Sequence, residues 1–142
     1  MKAHKTLDKL KTYGTTESDV CVLCCGSHDT ESHLFFDCSY SNNIWSSMLS
    51  LLNLRRIDGD VHFWIDWMAH HARGKSFKVW IRKTVLAATV YHIWNERNGR
   101  IFISIFNSKE KIRKQIRSVV ILKARSWGGI GDTDENRSFC IA

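Results

Sequence analysis

The chain has 142 residues, 44% of them hydrophobic, a formal charge of +7 and no proline. That length and apolar fraction suit one ordinary globular domain able to bury its own core, and they exclude a largely disordered chain. No apolar run is long enough for a secretory signal or approaches the roughly 18–20 residues of a membrane span, so the chain reads as intracellular, the nucleus included, with no membrane partner.

In chain order, KTLDKLKTY predicts a short helix with Leu7, Leu10 and Tyr13 on one face and Gly14 as its stop. A cysteine-rich segment follows, within which HLFF reads as a short extended stretch. Ser41 can then cap a helix whose apolar stripe is Ile44, Trp45, Met48, Leu49 and Leu52. DVHFWIDWMAHHARG predicts a third helix with Trp64, Trp67, Met68 and His71 inward, ended by Gly74. FKVWIRKTVLAATVYHIWNERNG supplies the longest helix, with Phe77, Ile81, Val85 and Ala88 on one line and Val79, Leu86, Val90 and Trp94 on another. Two apolar faces imply a central position, and Gly99 is the expected stop.

RIFISIF reads as extended. Asn107 and Glu110 form a capping-box pattern ahead of KIRKQIRSVVILKARSW, on which Ile112, Ile116, Val119, Val120 and Trp127 share an arc. The tail GGIGDTDENRSFCIA has no period and reads as loose.

The charge is uneven. Residues 61–131 hold fourteen basic and three acidic side chains, a balance of +11, whereas residues 21–60 are net −3. Any attraction for a polyanion therefore comes from the second half. On the last helix, Lys111, Arg113, Lys114, Arg117 and Arg125 fall on the side away from the apolar arc, with Lys123 out of place among the apolar residues. These five are the candidate nucleic-acid contacts, and an ordinary solvated helix face is the plainer alternative.

Four of the five cysteines lie within residues 21–38. Clustered cysteines in a reducing compartment, and an odd total, point to metal ligation rather than disulfides. Cys21-x2-Cys24 gives two thiolates that a tight turn can aim at one ion, and His33-x4-Cys38 returns two more after an eight-residue loop. That Cys3His set is the closed tetrahedron of structural zinc, and it leaves no position for an activated water. Cys25 and His28 are rival ligands; Cys140 reads as a free thiol. The expected fold is thus mostly α, with a small Cys3His zinc-knuckle-like segment packed on a helical domain. Its division is a zinc-binding unit over 4–54, a basic helical region over 61–127 and a loose tail over 128–142.

CVLC, then ESHLFFDCSYSNNIW, with TLDKLKTYG upstream, resembles the zinc-binding domain that follows the reverse transcriptase in plant non-LTR (LINE-type) retrotransposons and in host genes derived from them. HIWNERNGRIF followed by SKEKIRKQIRSVV is similar to the segment that commonly comes after that domain. The resemblance implies that Cys21, Cys24, His33 and Cys38 are zinc ligands, in agreement with their spacing, and that the chain handles nucleic acid beside a polymerase. A YxDD-like polymerase motif and an acidic set suited to two-metal phosphoryl chemistry are both missing, so no catalysis is expected. The chain reads as the appendage without the enzyme, either a piece of a retroelement or a small stand-alone product.

Other conspicuous residues have plain readings. Trp45, Trp64, Trp67, Trp80 and Trp94 sit in apolar helical patterns and are expected in the core rather than as stacking platforms. Adjacent helical residues such as His70 and His71 point about 100° apart and chelate poorly. Glu96-Arg97-Asn98-Gly99 offers an active carboxylate as one reading, and a helix end with a surface ion pair as the plainer one.

The leading expectation is a non-catalytic, zinc-stabilised nucleic-acid-binding module, RNA being one candidate ligand. The alternative is a structural zinc module for protein–protein interaction, with a reverse transcriptase as one partner. A basic face favours the first and an exposed apolar patch the second. A hydrolase built on Cys25 lacks an orienting Asn or Asp.

Overall fold

The computed structural model describes residues 6–12, 14, 18–55, 61–71 and 73–127, with positions 8, 9, 61 and 64 described by backbone alone. Tyr13, the Trp64 side chain, Cys140 and the tail from 128 lie outside the described residues. Within them the chain forms five α-helices: α1 (Leu7–Thr12), α2 (Ser39–Leu51), α3 (Val61–His71), α4 (Phe77–Ile103) and α5 (Lys109–Arg125). One π-helical turn, His33–Asp37, precedes α2. No named strand occurs among the described residues, and the nearest approach to sheet is an isolated antiparallel bridge between Val20 and His28.

The core is one continuous cluster. α4 supplies Phe77, Ile81, Val85, Leu86, Ala88 and Ile93, and α5 supplies Ile112, Ile116, Val120 and Ala124 at strict helical spacing. α4 and α5 pack as a hairpin, and α2 lies against both through Ile44, Trp45, Met48 and Leu49. α3 adds partly buried Phe63, Trp67 and Met68 to the edge of the cluster. Trp127 closes the far end, its ring 4.7 Å from that of Trp80.

Five local expectations are corrected. HLFF is the π-helical turn, not an extended stretch. Ser41 does not cap α2. The helix starts at Ser39 with Cys38 in the capping position, and Ser41 is buried in the first turn.

Gly99 does not end α4, which continues to Ile103 and is stopped by Ser104 in the left-handed conformation, φ 51°. The chain then folds back, and the Ile105 N–H donates to the Gly99 carbonyl at 3.1 Å. RIFISIF accordingly divides into a last helical turn and an irregular connection. Finally, Ser108 and not Asn107 caps α5, its hydroxyl accepting from the Lys111 N–H at 3.2 Å. Asn107 is diverted to Glu96, as described below.

Candidate metal centre and basic face

The cysteine segment begins as a tight turn. The Cys21 N–H donates to the Ser27 carbonyl at 2.7 Å, and the Cys25 N–H donates to the Cys21 carbonyl at 2.8 Å. Cys25 takes a left-handed backbone, φ 57°, at the cost that a side chain incurs there. This conformation reverses the chain directly after Cys24 and leaves the Cys25 side chain exposed.

The second pair of ligands is set by the π-helical turn. In an α-helix, residues five apart point about 140° away from each other. A π turn closes i to i+5, and here the Cys38 N–H donates to the His33 carbonyl at 2.7 Å, so H-x4-C brings both side chains to the same side. Buried Leu34, Phe35 and Phe36 hold the turn against the core.

One donor atom from each of Cys21, Cys24, His33 and Cys38 lies within 4.8 Å of every other. The Cys21 and Cys38 sulfurs are 3.9 Å apart, and the Cys24 sulfur is 3.2 Å from His33 Nε2. Two thiolates bound tetrahedrally to one zinc sit about 3.8 Å apart, so the Cys21–Cys38 pair already has that spacing and the four donors need only a small contraction to close on one ion. Neither Cys25 nor His28 belongs to the group. His28 faces Asp19 at 3.2 Å instead.

The charge state of the set is prepared as well. The Cys21 thiol donates to the Cys38 sulfur, and together with the backbone N–H groups of Ser41 and Tyr40 at the start of α2 this holds Cys38 below the ordinary thiol range despite its burial. The same donation, and burial, push Cys21 up. The two sulfurs share a proton that a cation among the four donors displaces.

A polar latch ties this centre to the helical body. Arg100 on α4 donates to the Val22 carbonyl at 3.0 Å and the Leu23 carbonyl at 3.4 Å, inside the Cys21–Cys24 turn. Arg97, one turn earlier, is buried against Asp29. Glu96, also buried, accepts from Arg100 Nε at 2.8 Å, from the Asn107 N–H at 2.8 Å and from Asn107 Nδ2 at 2.7 Å. The Tyr40 hydroxyl, at the head of α2, donates to the Asn107 carbonyl at 2.8 Å. Glu96-Arg97-Asn98-Gly99 is therefore neither a helix end nor a surface ion pair. Its role as a buried latch has no signal in the sequence, because the partners lie in distant segments.

The basic residues of α5 are not equivalent. Lys111, Lys114 and Arg125 are exposed, and Arg117 flanks them on the side toward α2. Arg113 is bound to its surroundings. It donates to Asn43 Oδ1 at 3.0 Å and Ser47 Oγ at 3.1 Å on α2, and to Glu110 at 2.7 Å. The +11 balance also overstates the accessible charge, since Arg97 and Arg100 are spent on the latch.

Trp45 is buried, while Trp67, Trp80, Trp94 and Trp127 pack partly buried against the core. His71 stacks on Trp67 at 4.0 Å and its Nδ1 lies 2.9 Å from the Trp67 carbonyl, so His70 and His71 form no chelating pair.

Residues 1–45 match the model of a family described as zinc-binding in reverse transcriptase, the family that the motifs resemble. Comparison with curated proteins and with solved structures finds no match. The fitted donor set and the family agree on a single structural zinc held by Cys21, Cys24, His33 and Cys38. When bound, the ion supplies cross-linking of the turn to the start of α2.

Proposed function

From a chain whose first 45 residues are a zinc-binding segment of the reverse-transcriptase type, we propose a non-catalytic nucleic-acid-binding module derived from a retrotransposon polyprotein. The observation that carries this reading is the outward face of α5. Lys111, Lys114 and Arg125 project there from one rigid helix whose opposite side, Ile112, Ile116, Val120 and Ala124, is anchored in the core. A fixed row of cations neutralises phosphates without having to order a flexible segment first.

Zinc acts apart from those side chains, by fixing the Cys21–Cys24 turn to the start of α2, where Arg97 and Arg100 of α4 hold the segment. Its four protein ligands complete a tetrahedron, which supports a structural and not a catalytic ion. Binding of a labelled oligonucleotide at two salt concentrations tests the reading. Affinity that falls steeply with salt, and that Lys114→Glu with Arg117→Glu removes, is expected; binding that ignores both overturns it.

A specific observation also favours the second reading, a protein-docking role. Phe102 and Ile103 in the last turn of α4, and Ile105 and Phe106 in the connection to α5, are each at least 49% exposed. Four large apolar side chains in five positions form the kind of surface that a partner covers, a reverse transcriptase being one such partner. Pull-down of a polymerase domain by the wild type, lost in Phe102→Ser with Phe106→Ser, supports this role, and retention in that variant removes it.

A further inference from the structure

The groove between α4 and α5 is unlike the rest of the surface. Trp80, Ala87, Ala88 and Tyr91 line one wall of it, and Val119 with Lys123 lines the other, around a volume of about 660 Å³. Trp80 and Tyr91 stand three helical turns apart, on the order of 16 Å, and the alanines between them leave a shallow floor. Tyr91 is 62% exposed in the middle of α4, between buried Ala88 and Ile93. It makes a T-shaped contact with His92, 5.4 Å between centroids at 86°, and most of its ring remains open to solvent.

We propose that this groove is a stacking site for an unpaired base of a single-stranded nucleic acid, with Tyr91 as the platform and Lys83 and Lys123 as contacts to phosphates of the same strand. The proposal rests on the nucleic-acid reading above and adds to it a second contact surface and a strand state.

Three features select this occupant. The groove is aromatic at both ends and apolar along its floor, which suits a planar base. Its cations stand on both walls, Lys83 from α4 and Lys123 from α5, and no acidic side chain lines it. An apolar peptide in the same place would leave two ammonium groups desolvated without partners, whereas the phosphodiesters of a strand lying along the groove from Tyr91 toward Trp80 pair with both.

The third feature is continuity with the outward face of α5. At 100° and 1.5 Å per residue, Lys123 lies about a third of a turn around the helix and about 18 Å along it from Lys111, with exposed Leu122 beside it. One strand can thus run from the basic face into the groove. Lys123, the basic residue out of place on the apolar arc of α5, has its position explained by this path. His92 lines the same wall, where burial disfavours its charged form and its ring nitrogens can meet a base edge.

The test uses the full zinc-loaded chain and fluorescence anisotropy with an oligonucleotide of roughly a dozen nucleotides, the same strand with abasic sugars, and a duplex. Tyr91→Ala is expected to weaken the base-bearing strand roughly five- to 150-fold, to leave the abasic strand and the duplex unchanged, and to be rescued by Tyr91→Phe. Lys83→Ala with Lys123→Ala should reduce the single-strand salt slope by about 1.4. Zinc content and helicity confirm that each variant is folded. Unchanged single-strand affinity in Tyr91→Ala, or equal wild-type affinity for base-bearing and abasic strands, overturns the stacking site. If Lys114→Glu with Arg117→Glu still weakens binding in that case, the wider nucleic-acid reading stands without it. A wild type that binds none of the three probes overturns both.

Discussion

Arg97 of α4 and Asp29 of the cysteine segment, 68 residues apart in the chain, form an ion pair in which the guanidinium is 1% and the carboxylate 0% exposed. One carboxylate oxygen, Asp29 Oδ2, accepts from Arg97 Nε at 3.1 Å, from Arg97 Nη2 and from the Leu7 N–H at 2.7 Å. The pair therefore joins α1, the zinc-binding loop and α4 at a single point, and the Arg97 guanidinium lies over the Trp94 ring at 4.8 Å.

Removing one member strands the other. Arg97→Ala leaves a buried carboxylate unpaired, which is expected to cost about 3–5 kcal/mol. Asp29→Asn with Arg97→Met keeps an acceptor for the Leu7 N–H and fills the volume, so the double variant should cost much less. Urea midpoints of the zinc-loaded proteins check both; a single variant that loses no more than a surface substitution would show that the pair is not desolvated.

Zinc stoichiometry separates the ligands from the neighbouring cysteine. Cys25→Gly relieves a left-handed backbone without touching the donor set, and one zinc per chain should remain with stability within about 1 kcal/mol of wild type. Cys38→Ser removes a ligand and should abolish stoichiometric zinc. Because structural zinc contributes free energy to ordering its surroundings, that variant should also lose hydrogen-exchange protection over residues 18–45 while α4 and α5, which share their own apolar interface, keep part of theirs. Metal analysis showing zinc retained in Cys38→Ser and lost in Cys25→Gly would reverse the assignment.

The ligand set was legible in the sequence because its spacing is short-range chemistry: a two-residue turn and a five-residue return constrain the chain wherever it sits. The π-helical turn that realises the return was not, since HLFF has no helical period of its own and is held by burial of its three apolar side chains. Gly99 carried a stop signal that the fold does not use. Glycine permits a helix end, and here the end is set five residues later by Ser104.

Asn107 and Ser108 could each cap α5, and only the buried Glu96 carboxylate, eleven residues earlier, decides between them. The latch as a whole was illegible for the same reason. Asp29, Val22 and Leu23 announce nothing locally about arginines nearly seventy or more positions away. The groove was missed because alanine and an isolated tyrosine carry no pattern until α5 lies beside them.

Tyr40 makes the latch sensitive to alkali. Burial, and then the Glu96 carboxylate, push its phenol up to about 12 from an ordinary value near 10. A group whose folded pKa is raised contributes stability that is fully present below the unfolded value, and this contribution is lost as pH rises from about 10 to about 12. Ionisation also removes the proton that Tyr40 donates to the Asn107 carbonyl. Tyr40→Phe should cost about 1 kcal/mol at neutral pH and should flatten this part of the alkaline unfolding profile. Identical profiles for the two proteins between pH 10 and 12 would remove Tyr40 as the cause.

Arg113 provides the sharpest separation of stability from binding on α5. Its guanidinium spans to Asn43 and Ser47 of α2 and to Glu110 of its own helix, so it acts as a cross-brace between α2 and α5. Arg113→Ala should lower stability by about 1–2 kcal/mol through the lost charged hydrogen bonds, with little change in the response of nucleic-acid binding to salt. Lys114→Glu should do the opposite, since the side chain is exposed. If Lys111, Lys114, Arg117 and Arg125 each neutralise a phosphate, log K falls against log salt with a slope of about −3 for a single strand and about −3.6 for a duplex. Reversing Lys114 should flatten that slope by at least about one phosphate's share, and Arg113→Ala should leave it in place. A slope that drops equally in the two variants would mean that Arg113 leaves its partners on α2 to reach the phosphates, and that the brace is only the unbound state.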